Sequence, residues 1–303
     1  MEECCPPACA GIPGTTGQMF VSLQILTYEP SYSNWCILVT GFTPLIMPLR
    51  YGMMLCMHTK QSLLSDLKNL GLDPKGTTLA HFSYKSLGDV EGGAQTVVDA
   101  MVEYMRDGLM VFPTHTWANV NDDQPYYSVN ETEVCIGIIP ELARKTPDGI
   151  RSAHPTHSVV AFGKEAEAFT NGDHLYTTPC PREGAWGKLL DRNATILLVG
   201  VGLNRDTFIH GVEEWLDIPN RINEKKRMLF IRLADGTLVP RPNSGHVGHV
   251  AENFPRVETI LKERGILSEG KLGDAKVLYH KTQPLTRLLN ELLAKNPDLF
   301  GER

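Results

Sequence analysis

The sequence predicts an α/β fold, a mostly parallel sheet flanked by helices. Three observations predict it. Short apolar runs of strand length recur along the chain, among them Thr77 to His81 (TTLAH), Leu109 to Phe112 (LMVF), Ser158 to Phe162 (SVVAF) and Ile196 to Val199 (ILLV). Stretches with apolar residues at helical spacing separate them, and alternation of this kind favours parallel strands with helices on the sheet faces. A chain of 303 residues, 42% hydrophobic and 21% charged, is also long and apolar enough to bury a substantial core.

In order, the first amphipathic helix contains Ser62, Leu63, Leu64, Leu67 and Leu70 and stops at Gly71, a residue suited to a helix C-terminus. The TTLAH strand follows, then a helix from about Gly93 to Met105 whose apolar face is Val97, Val98, Met101, Val102 and Met105. After LMVF, the Asn, Asp, Pro and Tyr residues from Asn119 to Asn130 read as a loop long enough to wall a substrate. A helix from about Gly137 to Lys145 precedes SVVAF, and a helix from Ala185 to Leu190 precedes ILLV. The last fifty residues read as helical, from Pro255 to Arg264 and from Pro284 to Lys295. No repeat, low-complexity tract or linker divides the chain.

Residues 1–56 stand apart. They hold five of the seven cysteines and only four charged side chains, Glu2, Glu3, Glu29 and Arg50. A secretory leader needs a basic start and a compact apolar core, and neither lies near Met1. The apolar run from Trp35 to Leu49 is too short to span a bilayer and carries Pro44 and Pro48. Composition becomes ordinary at Met57. The expectation is that natural translation starts at Met54 or Met57, so that residues 1–56 are an atypical extension and residues 57–303 the functional domain. The remaining thiols, Cys135 and Cys180, read as reduced and the protein as cytoplasmic. The net charge of −6 is spread along the chain, which disfavours nucleic acid or an anionic membrane as partner and suits a cationic substrate.

The segment ILLVGVGLNRDTFIHGVEEWL has the order of an active site. A strand ends at Gly200-Val201-Gly202, and a helix begins near Asp206 or Thr207. Ligands in open α/β sheets bind at the carboxyl ends of strands. His210 and Glu213, three residues apart, share one helix face, where a carboxylate fixes the imidazole tautomer and leaves its other nitrogen as a base. Glu214 is a second candidate for that orienting part. Spacing alone equally describes a solvated surface pair worth tenths of a kcal/mol. Two glycines without a third make a poor dinucleotide fingerprint.

Two further clusters hold candidate ligands. Arg151 to Ser158 gathers a cation, His154, His157 and several hydroxyls in one loop before a strand. The plain alternative is a polar loop capping its own backbone. His81 to Gly88, with Gly92-Gly93 opening the next helix, offers amides for an anion or simply forms turns.

From Met57 to the C-terminus the chain resembles the aminoglycoside 3-N-acetyltransferase family, in five ordered blocks: HFSYKSLGDVEGGAQTVVDAM, LMVFPTHTW, IIPELARKTPDGIRSAHPTHSVVAFG, TPCPREGAWGKLL and ILLVGVGLNRDTFIHGVEE. The resemblance implies a family-specific α/β fold distinct from GNAT acetyltransferases, acetyl-CoA as cosubstrate, a polycationic amino sugar as acceptor at the 3-amino group of its 2-deoxystreptamine ring, and no metal. It assigns the threonine, histidine and glutamate of the family pattern to Thr207, His210 and Glu213. It further implies coenzyme A contacts at Ser83, Lys85 and Ser86 and at Arg151, Ser152, His154 and Ser158. Many members carry a second serine where Phe82 stands. Cys180, in the TPC block, reads as structural. On the acceptor side Asp122, Asp123 and His246 are the candidates, with His249 near them. Two other classes remain: a metal-dependent hydrolase using His154, His157, His210 and Glu213 around an activated water, and a non-catalytic coenzyme A-binding protein.

Overall fold

The computed structural model describes residues 57–301 and, inside a separate unit of residues 1–54, two short antiparallel strands, β1 (Leu38–Thr40) and β2 (Thr43–Leu45). Of the two expected starts, Met54 lies outside the described residues and Met57 is the first residue of the described stretch.

The second unit begins with α1 (Lys60–Asn69), opened by a capping box in which Thr59 and Ser62 bond each other's backbone amides. There follow β3 (Thr77–Phe82), α2 (Gly93–Tyr104), β4 (Leu109–Pro113), β5 (Tyr126–Ser128), α3 (Ile138–Lys145), β6 (Ile150–Arg151), β7 (Val159–Phe162) and α4 (Ala166–Thr170). The chain continues through α5 (Ala185–Asp191), β8 (Thr195–Val199), α6 (Thr207–Trp215), β9 (Arg227–Arg232), β10 (Leu238–Asn243), α7 (Glu258–Glu263), β11 (Leu267–Leu272), β12 (Ala275–Lys281) and α8 (Thr282–Lys295).

Seven strands form the central sheet in the order β11-β12-β8-β3-β4-β7-β6. The expected helix-flanked α/β sheet is present, and its parallel part is the central trio β8, β3 and β4, with Ala80 opposite Leu197 and Thr78 opposite Met110. The flanking pairs are antiparallel, so the sheet is mixed.

The continuous apolar runs now have a reason. Alternate residues of one strand serve two cores: Ile196 and Leu198 join Trp186, Phe208, Phe254 and Leu289 on one face, while Leu197 and Val199 join Leu67, Met101 and Phe112 on the other. Helices α1, α2 and α3 cover the second face, and α4 to α8 the first. A smaller sheet, β10-β9-β5, packs Tyr127, Leu229 and Ile231 into its own core.

Two sequence expectations are corrected. The stretch Asn119 to Asn130 is not all loop, because Tyr126–Ser128 pairs with β9. The last fifty residues are not all helical. Between the two expected helices lies the hairpin β11–β12, turning at Gly273 with φ of 57°. Its charged, alternating residues mask the strand signal until β12 is laid antiparallel beside β8.

Candidate active site

A cavity of about 700 Å³ opens where the three parallel strands end. His81 and Phe82 reach it from β3, Pro113 and His115 from the end of β4, and Val201 from the turn after β8. Thr207 and His210 face it from α6, and His246 and His249 from the loop after β10. Three strand ends on one void give the space that an open α/β sheet offers a ligand.

The turn into α6 depends on Gly200. Its φ is +66°, and a Cβ there would overlap Ser86 Oγ. The strand end and the loop bearing Ser83 and Ser86 therefore pack against each other. Asp206 caps α6 by accepting the Phe208 amide at 3.1 Å, while its other oxygen accepts from His280 Nε2 at 2.7 Å.

On α6, His210 Nδ1 lies 3.8 Å from Glu213 Oε2. This is near contact rather than a formed hydrogen bond, a spacing common before substrate closes on a site. Glu213 is fully buried and is held through Oε1 by Arg221 Nε at 2.5 Å. Among the described residues Oε2 has no hydrogen-bond partner, and the imidazole is the group it faces. Burial pushes the Glu213 carboxyl above its ordinary value, and Arg221 opposes that. Burial pushes His210 down to about 4, so the imidazole is neutral and able to accept a proton at neutral pH. Glu214 does not orient His210. Its oxygens accept from Thr178 Oγ1 and from the Cys180 amide, tying α6 to the TPC loop.

His210 belongs to a larger cluster that spacing did not reveal. Its ring stacks on His246 at 4.1 Å, His246 meets His157 edge-on at 5.1 Å, and His157 lies 4.7 Å from His115. Trp186 backs His115 at 5.6 Å and donates its indole N–H to the His157 carbonyl. Burial holds the His81 and His154 imidazoles down at about 4, and lowers His115, His157 and His246 well below the ordinary value. The cavity wall therefore carries neutral imidazoles and aromatic rings beside Arg205, Asp206, Arg227 and Glu252.

The other expected contacts divide. Ser83, Ser86 and exposed Lys85 follow the end of β3, where Ser86 Oγ bonds the Ser83 carbonyl at 2.7 Å. The Arg151 to Ser158 loop is turned inward. Arg151 donates to Thr114 Oγ1 and to the carbonyls of Thr114, Val129 and Thr132, so its guanidinium is spent on backbone. Ser152 accepts the Val159 amide, and Ser158 donates to the Thr114 carbonyl. His154 uses both nitrogens, accepting the Thr156 and His157 amides and facing the Thr178 carbonyl at 2.8 Å. These four fix the loop, and Thr156 and His157 are the members that line the cavity. Asp122 and Asp123 sit exposed in the turn organised by Asn121, outside the cavity wall. His246 is at the wall. Cys180 is buried, and burial raises its thiol well above its ordinary value, which suits a structural residue.

The hydrolase ligand set is not assembled. His154 is committed to backbone, and among the described residues the one group of three potential ligands within 4.8 Å of one another is Cys180, Glu214 and His246. Sequence reasoning missed Arg221, His115 and the Asp206–His280 pair. His115 stands inside the LMVFPTHTW block, the one available signal; the others carry no local pattern. No described helix is long and apolar enough to cross a membrane.

Residues 79–294 match the family model described as aminoglycoside 3-N-acetyltransferase. The SPbeta prophage-derived aminoglycoside N(3')-acetyltransferase-like protein YokD of Bacillus subtilis (strain 168) is 32% identical over 187 residues, covering 55% of this chain and 68% of that protein. The fold is similar to a histidine-to-alanine variant of aminoglycoside acetyltransferase AAC(3)-IVa in complex with a gentamicin, with a TM-score of 0.72, 26% identity and coverage of 83% of this chain and 94% of the other. It is also similar to AAC-IIIb in a binary complex with CoASH, with a TM-score of 0.69, 23% identity and coverage of 79% and 97%. The chain belongs to the aminoglycoside 3-N-acetyltransferase family.

Proposed function

We propose that the domain spanning residues 57–303 transfers the acetyl group of acetyl-CoA to the 3-amino group of an aminoglycoside's 2-deoxystreptamine ring, with His210 as general base. The observation that carries this reading is a neutral imidazole backed by a buried, Arg221-held carboxylate at the wall of a cavity formed by three strand ends. Similarity to proteins described with bound CoASH and bound gentamicin supports the choice of both substrates.

The acceptor amine attacks the thioester carbonyl directly, so no enzyme nucleophile is needed. As the C–N bond forms, the nitrogen becomes cationic and acidic, and even a base with depressed pKa takes its proton. The imidazolium that results is stabilised by Glu213 Oε2, the oxygen Arg221 leaves free. Collapse of the tetrahedral intermediate breaks the C–S bond, and the thiolate of coenzyme A takes a proton from the imidazolium. We place coenzyme A along the Ser83, Lys85 and Ser86 loop and the acceptor beside His246. Arg151, Ser152, His154 and Ser158 then shape the wall from behind rather than touch coenzyme A. We assign the enzyme to the cytoplasm, where acetyl-CoA is supplied and thiols stay reduced.

A thiol-release assay with acetyl-CoA against an aminoglycoside panel, with mass detection of the product, tests this. The expected result is release coupled to a single N-acetylation, with His210→Ala slower by about a hundredfold or more and acetyl-CoA binding retained. Turnover unchanged in that variant, or no release with any aminoglycoside, overturns it.

A further inference from the structure

We infer that His280 is a positioning residue for acetyl transfer, because its bond to Asp206 ties the first turn of α6 to the central sheet and so sets where His210 meets the acceptor. This rests on the reading of His210 as the base. His280 lies on β12 opposite Ile196 of β8, and both its side chain and that of Asp206 are fully excluded from water. The imidazole donates through Nε2 to Asp206 Oδ2 at 2.7 Å, and Asp206 Oδ1 accepts the Phe208 amide of α6. One carboxylate thus joins a helix start to a sheet strand.

Capping alone does not call for this arrangement. A serine or asparagine caps a helix as well as aspartate does, and a buried polar pair is often no more stable than apolar residues of similar volume. What the pair adds is direction. The apolar contacts of Phe208, Ile209 and Val212 seat α6 in the core but are tolerant of small rotations. The polar ties of its far end, Glu213 to Arg221 and Glu214 to Thr178 and Cys180, run to loops. The Asp206–His280 bond runs to the sheet whose strand ends form the cavity, so it fixes the helix against the strand ends that line that cavity. His210 follows Asp206 by four residues, about one turn, and any swing of the cap is passed to it.

The test uses the full chain. His280→Leu should lower kcat by about ten- to a hundredfold with the KM for acetyl-CoA unchanged, whereas His280→Gln, which keeps a donor near the Nε2 position, should restore most of the rate. Asp206→Ser, which keeps a cap but cannot reach β12, should lose as much as His280→Leu. The double variant should lose no more than either single one. Urea midpoints measured alongside separate rate from stability. Should His280→Leu not fold, the Asp206→Ser and His280→Gln pair carries the comparison. An active wild type whose single variants keep wild-type kcat, or whose losses add in the double variant, overturns the inference alone. A wild type that releases no thiol overturns the transferase reading and this one together.

Discussion

Arg221 shows how much of the site's chemistry hangs on one side chain distant from the motif that announces it. Its guanidinium and the Glu213 carboxylate are both buried, and the bond between them offsets a desolvation that neither could sustain alone. Arg221→Met removes the cation while keeping volume, leaving the carboxylate in an apolar wall. Glu213 then takes up a proton, its Oε2 no longer favours the imidazolium, and folding loses on the order of 3–5 kcal/mol. Urea unfolding should show that loss, and kcat should fall together with it. A variant with wild-type kcat would mean that Glu213 needs no partner to serve His210. Nothing in the sequence marks Arg221: it stands eight residues beyond Glu213, across Pro219 and Asn220, on no shared face. His210 and Glu213 were legible because both lie on one helix and 3.6 residues make a turn. The imidazole cluster was not, because His115, His157 and His246 come from three separate segments that only the folded chain brings together.

At the scale of elements, legibility followed burial on two faces. Strands β3, β4, β7 and β8 are buried end to end or nearly so, and their unbroken apolar runs appear in the sequence as such. Strands β9 and β10 bury one face only, and β10 carries Pro240 and Pro242, which a strand tolerates only at an edge. The Arg151 to Ser158 loop reads differently in the fold for a related reason. Arg151, Ser152, His154 and Ser158 have ligand chemistry, yet a buried loop must satisfy its own backbone first, and these side chains do so. The strand-to-helix turn at Gly200 packs closely against the Ser86 loop. Gly200→Ala forces both a positive φ and an overlap with Ser86 Oγ, which should cost about 2–4 kcal/mol. Because the displaced loop is where we place coenzyme A, the KM for acetyl-CoA should rise more than kcat falls. Calorimetry of acetyl-CoA binding checks it: unchanged affinity would put coenzyme A elsewhere.

For the whole molecule, collecting buried neutral histidines around one cavity links the fold to pH. His81, His154 and His210 are held at about 4, and His115, His157 and His246 lie well below their ordinary value, in each case chiefly by burial. In the unfolded chain all six take up protons near pH 6.5. Below that pH the unfolded state binds more protons than the native one, so the stability these groups contribute is fully present above about pH 6.5 and is lost as pH falls toward 4. Each adds up to about 1.4 kcal/mol per pH unit in that window. Asp173, pushed up to about 6 by burial, acts in the opposite direction, since its carboxyl takes up a proton in the native state first. Glu213 and Glu214, also raised by burial, act the same way. Six groups set against three leave a net loss. The urea midpoint should therefore fall steeply between pH 6.5 and 5, with little change between 7 and 8. His154 is the member to vary, because it caps its loop without facing the cavity. His154→Asn should retain a hydrogen-bonding side chain and flatten the slope below pH 6.5 by one proton's worth. A midpoint that does not move between pH 6.5 and 5 in the wild type would show that the imidazoles are protonated in the native state, and would remove the neutral base on which acetyl transfer depends.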